Sequence, residues 1–162
     1  MRARGVQCGV RNVMVLSGSE QGIDLIVRAF INPGDCVLVE QSTFFPALQT
    51  FRSADARIIG VPVDEHGMRT DLLDGYCARF RPKLIYTVPT FQNPTGTTLP
   101  PERRSELIDV ARRYQCLIVE DDAYGDLWYG GESSDAHRPI PLKGMENAGY
   151  VMYLSTFSKT VT

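Results

Sequence analysis

The chain has 162 residues, 43% of them apolar, enough to bury one core of ordinary size, and its length argues for one domain. A formal net charge of −2 and the lack of any run of like charge leave no electrostatic footprint for nucleic acid, so no nucleic-acid partner is expected of this segment. No apolar stretch approaches the roughly 18 uncharged residues of a membrane span, and the opening MRARGVQCGVRN lacks the apolar core of a signal peptide, so a soluble, cytoplasmic protein without a membrane partner is expected.

The predicted elements alternate short β-branched runs with longer amphipathic ones, the pattern of β-α-β units. The fold class is therefore α/β, a mostly parallel sheet with helices on both faces. In chain order, a first strand is predicted over Val13 to Leu16. A helix over Gln21 to Phe30 follows, with its stripe at Ile23, Ile26, Val27 and Phe30, and it stops at the turn Asn32-Pro33-Gly34-Asp35. Next come a strand from Cys36 to Glu40, a helix near Phe44 to Ala54, a strand from Arg57 to Val61 and a helix near Thr70 to Phe80. A strand from Leu84 to Val88 precedes a helix that opens at Pro101-Glu102 and runs through Leu107, Ile108, Val110 and Ala111 to Tyr114. A strand from Cys116 to Glu120, a loop from Gly130 to Asn147 and a last strand from Tyr150 to Ser155 complete the series.

Cys8, Cys36, Cys77 and Cys116 lie far apart without the C-x-x-C spacing of a zinc or redox site, so reduced structural thiols and no bound metal are expected. Cys36 and Cys116 each open an apolar run, where a small hydrophobe suits a core strand. His66 and His137 stand in turn-like surroundings and read as surface residues.

In open parallel sheets ligands sit beyond the carboxyl ends of the strands, so the residues just after each strand are where chemistry is sought. Ser17-Gly18-Ser19-Glu20-Gln21-Gly22, directly before a helix, offers glycines, unpaired N–H groups and hydroxyls, and reads as a phosphate cradle or as an ordinary Ser cap with a Gly turn. After the second strand, Phe44 and Phe45 are candidates to stack on a flat ring, or core aromatics. Pro89-Thr90-Phe91-Gln92-Asn93-Pro94-Thr95-Gly96 forms a rigid turn that presents the Asn93 amide as a donor. Glu120-Asp121-Asp122-Ala123-Tyr124 ends a buried strand in carboxylates, which are costly to desolvate unless a cation or strong donor faces them. Two partners suit them, a hard metal such as Mg²⁺ or a protonated heterocyclic nitrogen. Ser155-Thr156-Phe157-Ser158-Lys159-Thr160 puts one lysine among hydroxyls at the same edge, suited to a Schiff base once burial lowers its pKa, or else a snorkelling surface lysine.

Taken in order, SGSEQG, the aromatic after VLVE, PTFQNPTG, EDDAY and STFSK resemble the fold-type I pyridoxal-phosphate aminotransferases of class I/II over nearly the whole chain. Within that family the resemblance is to the aminoadipate/kynurenine-type branch and to the aminotransferase-like domain of MocR-type regulators. It implies pyridoxal 5′-phosphate as cofactor, amino-group transfer between an amino acid and a 2-oxo acid, and a homodimer. It implies that Lys159 is the aldimine lysine and the later general acid/base, and that Asp121 pairs with the pyridine nitrogen. Asn93 and Tyr124 would bond the phenolic oxygen, and Phe44, where the family usually has Tyr, would stack on the ring. Ser19, Glu20 and Thr156, with Ser158 as helper, would bind the phosphate. Gln is common at the Glu20 position, so Glu20 is expected to use its backbone N–H and turn its carboxylate away.

The resemblance also implies that residues 1–162 are a partial cofactor-binding large domain. The N-terminal segment, the phosphate-clamping arginine a few residues past the lysine, and the small domain with the substrate-binding arginine are not in it. Two other readings stand beside the enzyme: the pyridoxal-phosphate-binding effector domain of a MocR/GntR-type regulator, and a Mg²⁺-dependent phosphoryl-transfer or receiver-type domain built on Asp121 and Asp122.

Overall fold

Five apolar runs pair in parallel into one sheet: β1 (Cys36–Glu40), β2 (Arg57–Val61), β5 (Leu84–Thr87), β6 (Leu117–Asp121) and β7 (Val151–Leu154), in the spatial order β2-β1-β5-β6-β7. The structure is a computed structural model and describes residues 4–128 and 138–160. The sequence pattern gives no sign of a separate antiparallel pair, β3 (Val63–Asp64) with β4 (Gly67–Met68); it turns at Glu65 and His66, and Gly67 just after the turn has a φ of 90° that suits a residue without a Cβ. Each predicted strand that pairs does so within one residue of its expected bounds.

Strand β1 is buried along its whole length because both faces of the sheet are covered, as a parallel sheet requires. On one face Val37, Val39, Leu84, Tyr86 and Val119 pack with Ile23 and Val27 of α1 (Ser19–Phe30) and Ala47 and Phe51 of α2 (Phe45–Ser53). On the other face Leu38, Ile85 and Ile118 pack with Leu73 and Cys77 of α3 (Leu73–Phe80) and Leu107 and Ala111 of α4 (Pro101–Tyr114). Successive strand residues alternate between the two cores, which is the period-two geometry of a strand seen twice over.

The helices end where the chain chemistry says they should. Helix α1 stops before a turn in which the Asn32 N–H donates to Asp35 Oδ2 at 2.9 Å. Helix α4 begins on a proline, whose missing N–H costs nothing in a first turn, and ends at Gln115 in the left-handed region (φ 53°). The Thr70 to Phe80 helix divides into a 3-10 turn at Thr70–Leu72 and α3 proper.

Two expectations fail. Val13 to Leu16 pairs with no strand among the described residues, and Val15 is 94% exposed. A β-branched run becomes a strand only when a neighbour accepts its backbone hydrogen bonds, and here the described sheet ends at β7. The loop predicted from Gly130 to Asn147 contains a one-turn helix, α5 (Leu142–Met145), while residues 130–137, including His137, lie outside the described residues. Cys36, Cys77 and Cys116 are buried and none is in a disulfide, and His66 is exposed. Among the described residues no helix is long and apolar enough to cross a membrane.

Candidate functional site

Every strand of the sheet ends at one edge, and the segments leaving that edge enclose a cavity of roughly 410 Å³. All nine residues singled out from the sequence line it: Ser19 and Glu20 from the start of α1, Phe44 after β1, Asn93 after β5, Asp121 and Tyr124 after β6, and Thr156, Ser158 and Lys159 after β7. Phe45, the second aromatic, is exposed away from it.

At the cradle, Gly18 has φ 155° and ψ 171°, a backbone conformation that side chains oppose, and α1 begins with no side-chain cap on its first N–H groups. The Gln21 side chain turns back to accept the Ser17 N–H at 2.7 Å, which leaves the helix N-terminus facing the cavity with its partial positive charge. Gly22 lets α1 approach β7: a Cβ there would come within 2.7 Å of Leu154. Opposite, the Thr156 and Ser158 hydroxyls lie 2.8 Å apart, and the Ser158 N–H donates to Thr156 Oγ1 at 3.2 Å.

The Asn93 turn is held from beneath by polar groups that the sequence reading passed over. Buried Gln92 donates from its amide to Glu40 Oε2 (2.9 Å) and the Ser42 carbonyl (2.6 Å), and its Oε1 accepts from the Thr95 N–H (2.8 Å) and hydroxyl (2.7 Å). Glu40 accepts in addition from the Thr87 hydroxyl at 2.6 Å and the Val88 N–H at 3.2 Å. Phe91 carries a positive φ of 50° and stacks on Trp128 with ring centroids 6.1 Å apart. The Asn93–Pro94 peptide is cis. So presented, the Asn93 Nδ2 donates to the Tyr124 hydroxyl at 3.2 Å.

Arg104 fixes the turn to the neighbouring strand. It is 1% exposed, and its guanidinium donates to the Leu99 (2.8 Å), Pro89 (2.7 Å) and Ile140 (3.1 Å) carbonyls and to Thr90 Oγ1 (2.9 Å), with Glu120 at 3.9 Å. Glu120 in turn accepts the Leu142 and Lys143 N–H groups at the start of α5. Replacing Arg104 by alanine leaves these acceptors buried without a donor and is expected to cost about 3–5 kcal/mol, read as a fall in chemical-denaturation midpoint.

The two aspartates after β6 serve different partners. Asp122 Oδ2 accepts from Arg4 at 2.7 Å and from the Tyr153 hydroxyl at 2.6 Å. Asp121 Oδ2 accepts from the Tyr86 hydroxyl at 2.8 Å, and its buried Oδ1 has no partner. Asp122 Oδ2 is thus committed to Arg4 and Tyr153, and among the described residues no group of three or more His, Cys, Asp or Glu side chains is gathered as metal ligands.

Burial raises the carboxyl pKa values of Glu40 and Glu120 to about 7 and that of Asp121 to about 6, with hydrogen bonds opposing the shift in each. These folded-state values lie above the unfolded ones, so the folded protein binds protons the more tightly from about pH 4.5 to 7. Stability is expected to rise as pH falls from 8 toward 5. Asp64 acts oppositely: its hydrogen bonds from Arg103 (2.6 and 2.7 Å) hold its carboxyl well below the usual range, so further acidification removes that contribution. Melting temperatures across pH 3.5 to 8 are expected to pass through a maximum near pH 5; a steady rise up to pH 8 would contradict the shifts.

Lys159 departs from expectation. It is exposed rather than buried, at the cavity rim, with Nζ 5.8 Å from the centre of the Tyr124 ring.

A parallel sheet with helices on both faces and one polar cavity at its carboxyl edge defines the class of α/β proteins that hold a ligand at the strand ends. The chain belongs to the aminotransferase class I and II family, whose sequence profile matches residues 2–161. It is 43% identical to aromatic-amino-acid aminotransferase 1 of Thermococcus litoralis over 91% of this chain and 36% of that protein. It is 34% identical to the HTH-type transcriptional regulator YisV of Bacillus subtilis over 100% of this chain and 32% of that protein. The fold superposes on kynurenine aminotransferase of Pyrococcus horikoshii, solved in complex with PMP, with a TM-score of 0.84, at 42% identity over 90% of this chain and 36% of the other. The chain thus spans about a third of the length of these relatives.

Proposed function

We propose that this chain is the cofactor-holding part of a pyridoxal-phosphate-dependent aminotransferase that moves an amino group between an amino acid and a 2-oxo acid. The observation that carries the reading is the convergence on one cavity of a lysine, a buried carboxylate with an unpartnered oxygen, an Asn–Tyr donor pair and an uncapped helix N-terminus. The donor set fits the cofactor. Asp121 Oδ1 lacks a donor that a protonated ring nitrogen would supply, and the Gly18 cradle leaves open space above N–H groups suited to a phosphate.

Bound there, pyridoxal phosphate supplies an electron-withdrawing ring that eases loss of the substrate's α-proton. Lys159, at the cavity rim, would accept that proton and later give it back as general acid/base. Asp121 Oδ1 would hold a proton on the ring nitrogen, the Asn93 amide and the Tyr124 hydroxyl would bond the phenolic oxygen, and Phe44 would stack on the ring. The Ser19 and Glu20 N–H groups, with the Thr156 and Ser158 hydroxyls, would bind the phosphate. Glu20, which is exposed, would contribute its backbone N–H and not its carboxylate. The protein is read as a cytoplasmic homodimer.

The named activities of the relatives direct the test toward aromatic amino acids and kynurenine as donors. The intact protein of which this chain is the cofactor-holding part, purified with pyridoxal phosphate, is expected to convert an aromatic amino acid and a 2-oxo acid into the exchanged pair, followed by chromatography. Absence of product with every donor, despite bound cofactor, would favour the second reading, an effector-sensing domain of a transcriptional regulator. That reading rests on the match to YisV, which covers 100% of this chain and 32% of that protein. A DNA-binding segment encoded upstream would decide for it.

A further inference from the structure

We propose that Tyr86 is a positioning residue for Asp121: its phenol occupies one carboxylate oxygen and thereby leaves the other, anionic and unpartnered, for the ligand in the cavity. The inference deepens the reading above and rests on Asp121 as the partner of a protonated ring nitrogen.

Tyr86 lies on β5 beside β6, with Val119 opposite it and Glu120 opposite Thr87. Its side chain is fully buried, and its ring meets Phe51 edge-on with centroids 5.7 Å apart, so the hydroxyl has little freedom to turn elsewhere. That hydroxyl donates to Asp121 Oδ2 at 2.8 Å, and among the described residues no other donor reaches the Asp121 side chain. The assignment of the two oxygens follows. Oδ2 is committed to a phenol that burial and the adjacent carboxylate keep protonated, so it is always a donor and never a competing base. Oδ1 is then the oxygen left to meet a cation.

The same bond acts on charge. Glu40, Asp122 and Tyr124 surround the pair, and none of them supplies a positive charge to Asp121. Desolvation therefore pushes the Asp121 proton affinity up, and the phenol O–H is the one interaction that opposes it. If the carboxylate became a neutral acid, it would compete with the ring nitrogen for the proton that the nitrogen needs.

The test begins with cofactor-free protein carrying ¹³C-carboxyl aspartate, in which the Asp121 titration is followed by NMR. Tyr86→Phe is expected to raise the midpoint by about one pH unit. A fluorinated tyrosine at position 86, a stronger donor of nearly the same size, is expected to lower it. Phe51→Leu, which loosens the ring's packing but keeps the donor, leaves it in place. With ¹⁵N-labelled pyridoxal phosphate bound, the ring-nitrogen shift of Tyr86→Phe is expected to move from the wild-type protonated value toward that of Asp121→Asn. An unmoved midpoint in both Tyr86 variants, or an equal shift in Phe51→Leu, overturns the proposal. If Asp121→Asn also leaves the nitrogen shift unchanged, the reading of Asp121 fails first; if only Tyr86→Phe leaves it unchanged, the inference alone fails.

Discussion

Replacing Lys159 by alanine is expected to lower amino transfer by roughly 10²- to 10⁴-fold, the range for removal of a positioned acid/base, and to abolish covalent retention of pyridoxal phosphate. The position makes the experiment clean. Lys159 is exposed, with Nζ 5.8 Å from the centre of the Tyr124 ring. Truncating an exposed side chain of this kind changes stability by no more than about 0.5 kcal/mol. A large loss of turnover at an unchanged melting temperature therefore reports chemistry and not folding. Equal turnover in Lys159→Ala and wild type would remove the residue from the reaction.

Asp121→Asn is expected to move activity and stability in opposite directions. The amide keeps the volume of the side chain and can still accept the Tyr86 O–H, but it cannot hold a proton on a ring nitrogen, and turnover should fall by roughly 10²- to 10³-fold. Burial already disfavours the Asp121 charge, raising its pKa to about 6. A neutral side chain avoids that cost at pH 7 and above, so the melting temperature should hold or rise. The opposite result, a destabilised protein with near-normal turnover, would make Asp121 a structural residue.

The helices, the paired strands and the aromatic and lysine positions were legible because each depends on local pattern. The 3.6-residue stripe of Ile23 and Val27, the apolar run Cys36–Glu40 and the Pro101 start all follow from what neighbours in sequence can bury together. The Val13–Leu16 strand misled for the converse reason. Its β-branched residues have the propensity, but pairing is decided by a distant segment, and none of the described strands lies beside it. The supporting network under the Asn93 turn was not legible either. Glu40, Gln92 and Arg104 are residue types that usually face water, and their burial arises only when β1, β5 and α4 come together across 47 to 52 residues of sequence in the case of Glu40. Gln92 stood inside a motif already noted, next to Asn93, and a polar residue between two prolines at a strand end was the available hint. Tyr86 gave less, since a tyrosine in a buried strand reads as core until its hydroxyl is seen to meet Asp121.

Everything proposed for this site depends on the lysine after β7 and the cavity beside it holding pyridoxal phosphate. The most direct test is to mix the purified protein with the cofactor, record its visible absorption, reduce with borohydride and map the modified peptide by mass spectrometry. A visible band that reduction discharges and a single cofactor mass fixed on Lys159 are expected. A folded protein that develops no such band, or that carries the label on other lysines in preference to Lys159, would contradict the cofactor assignment.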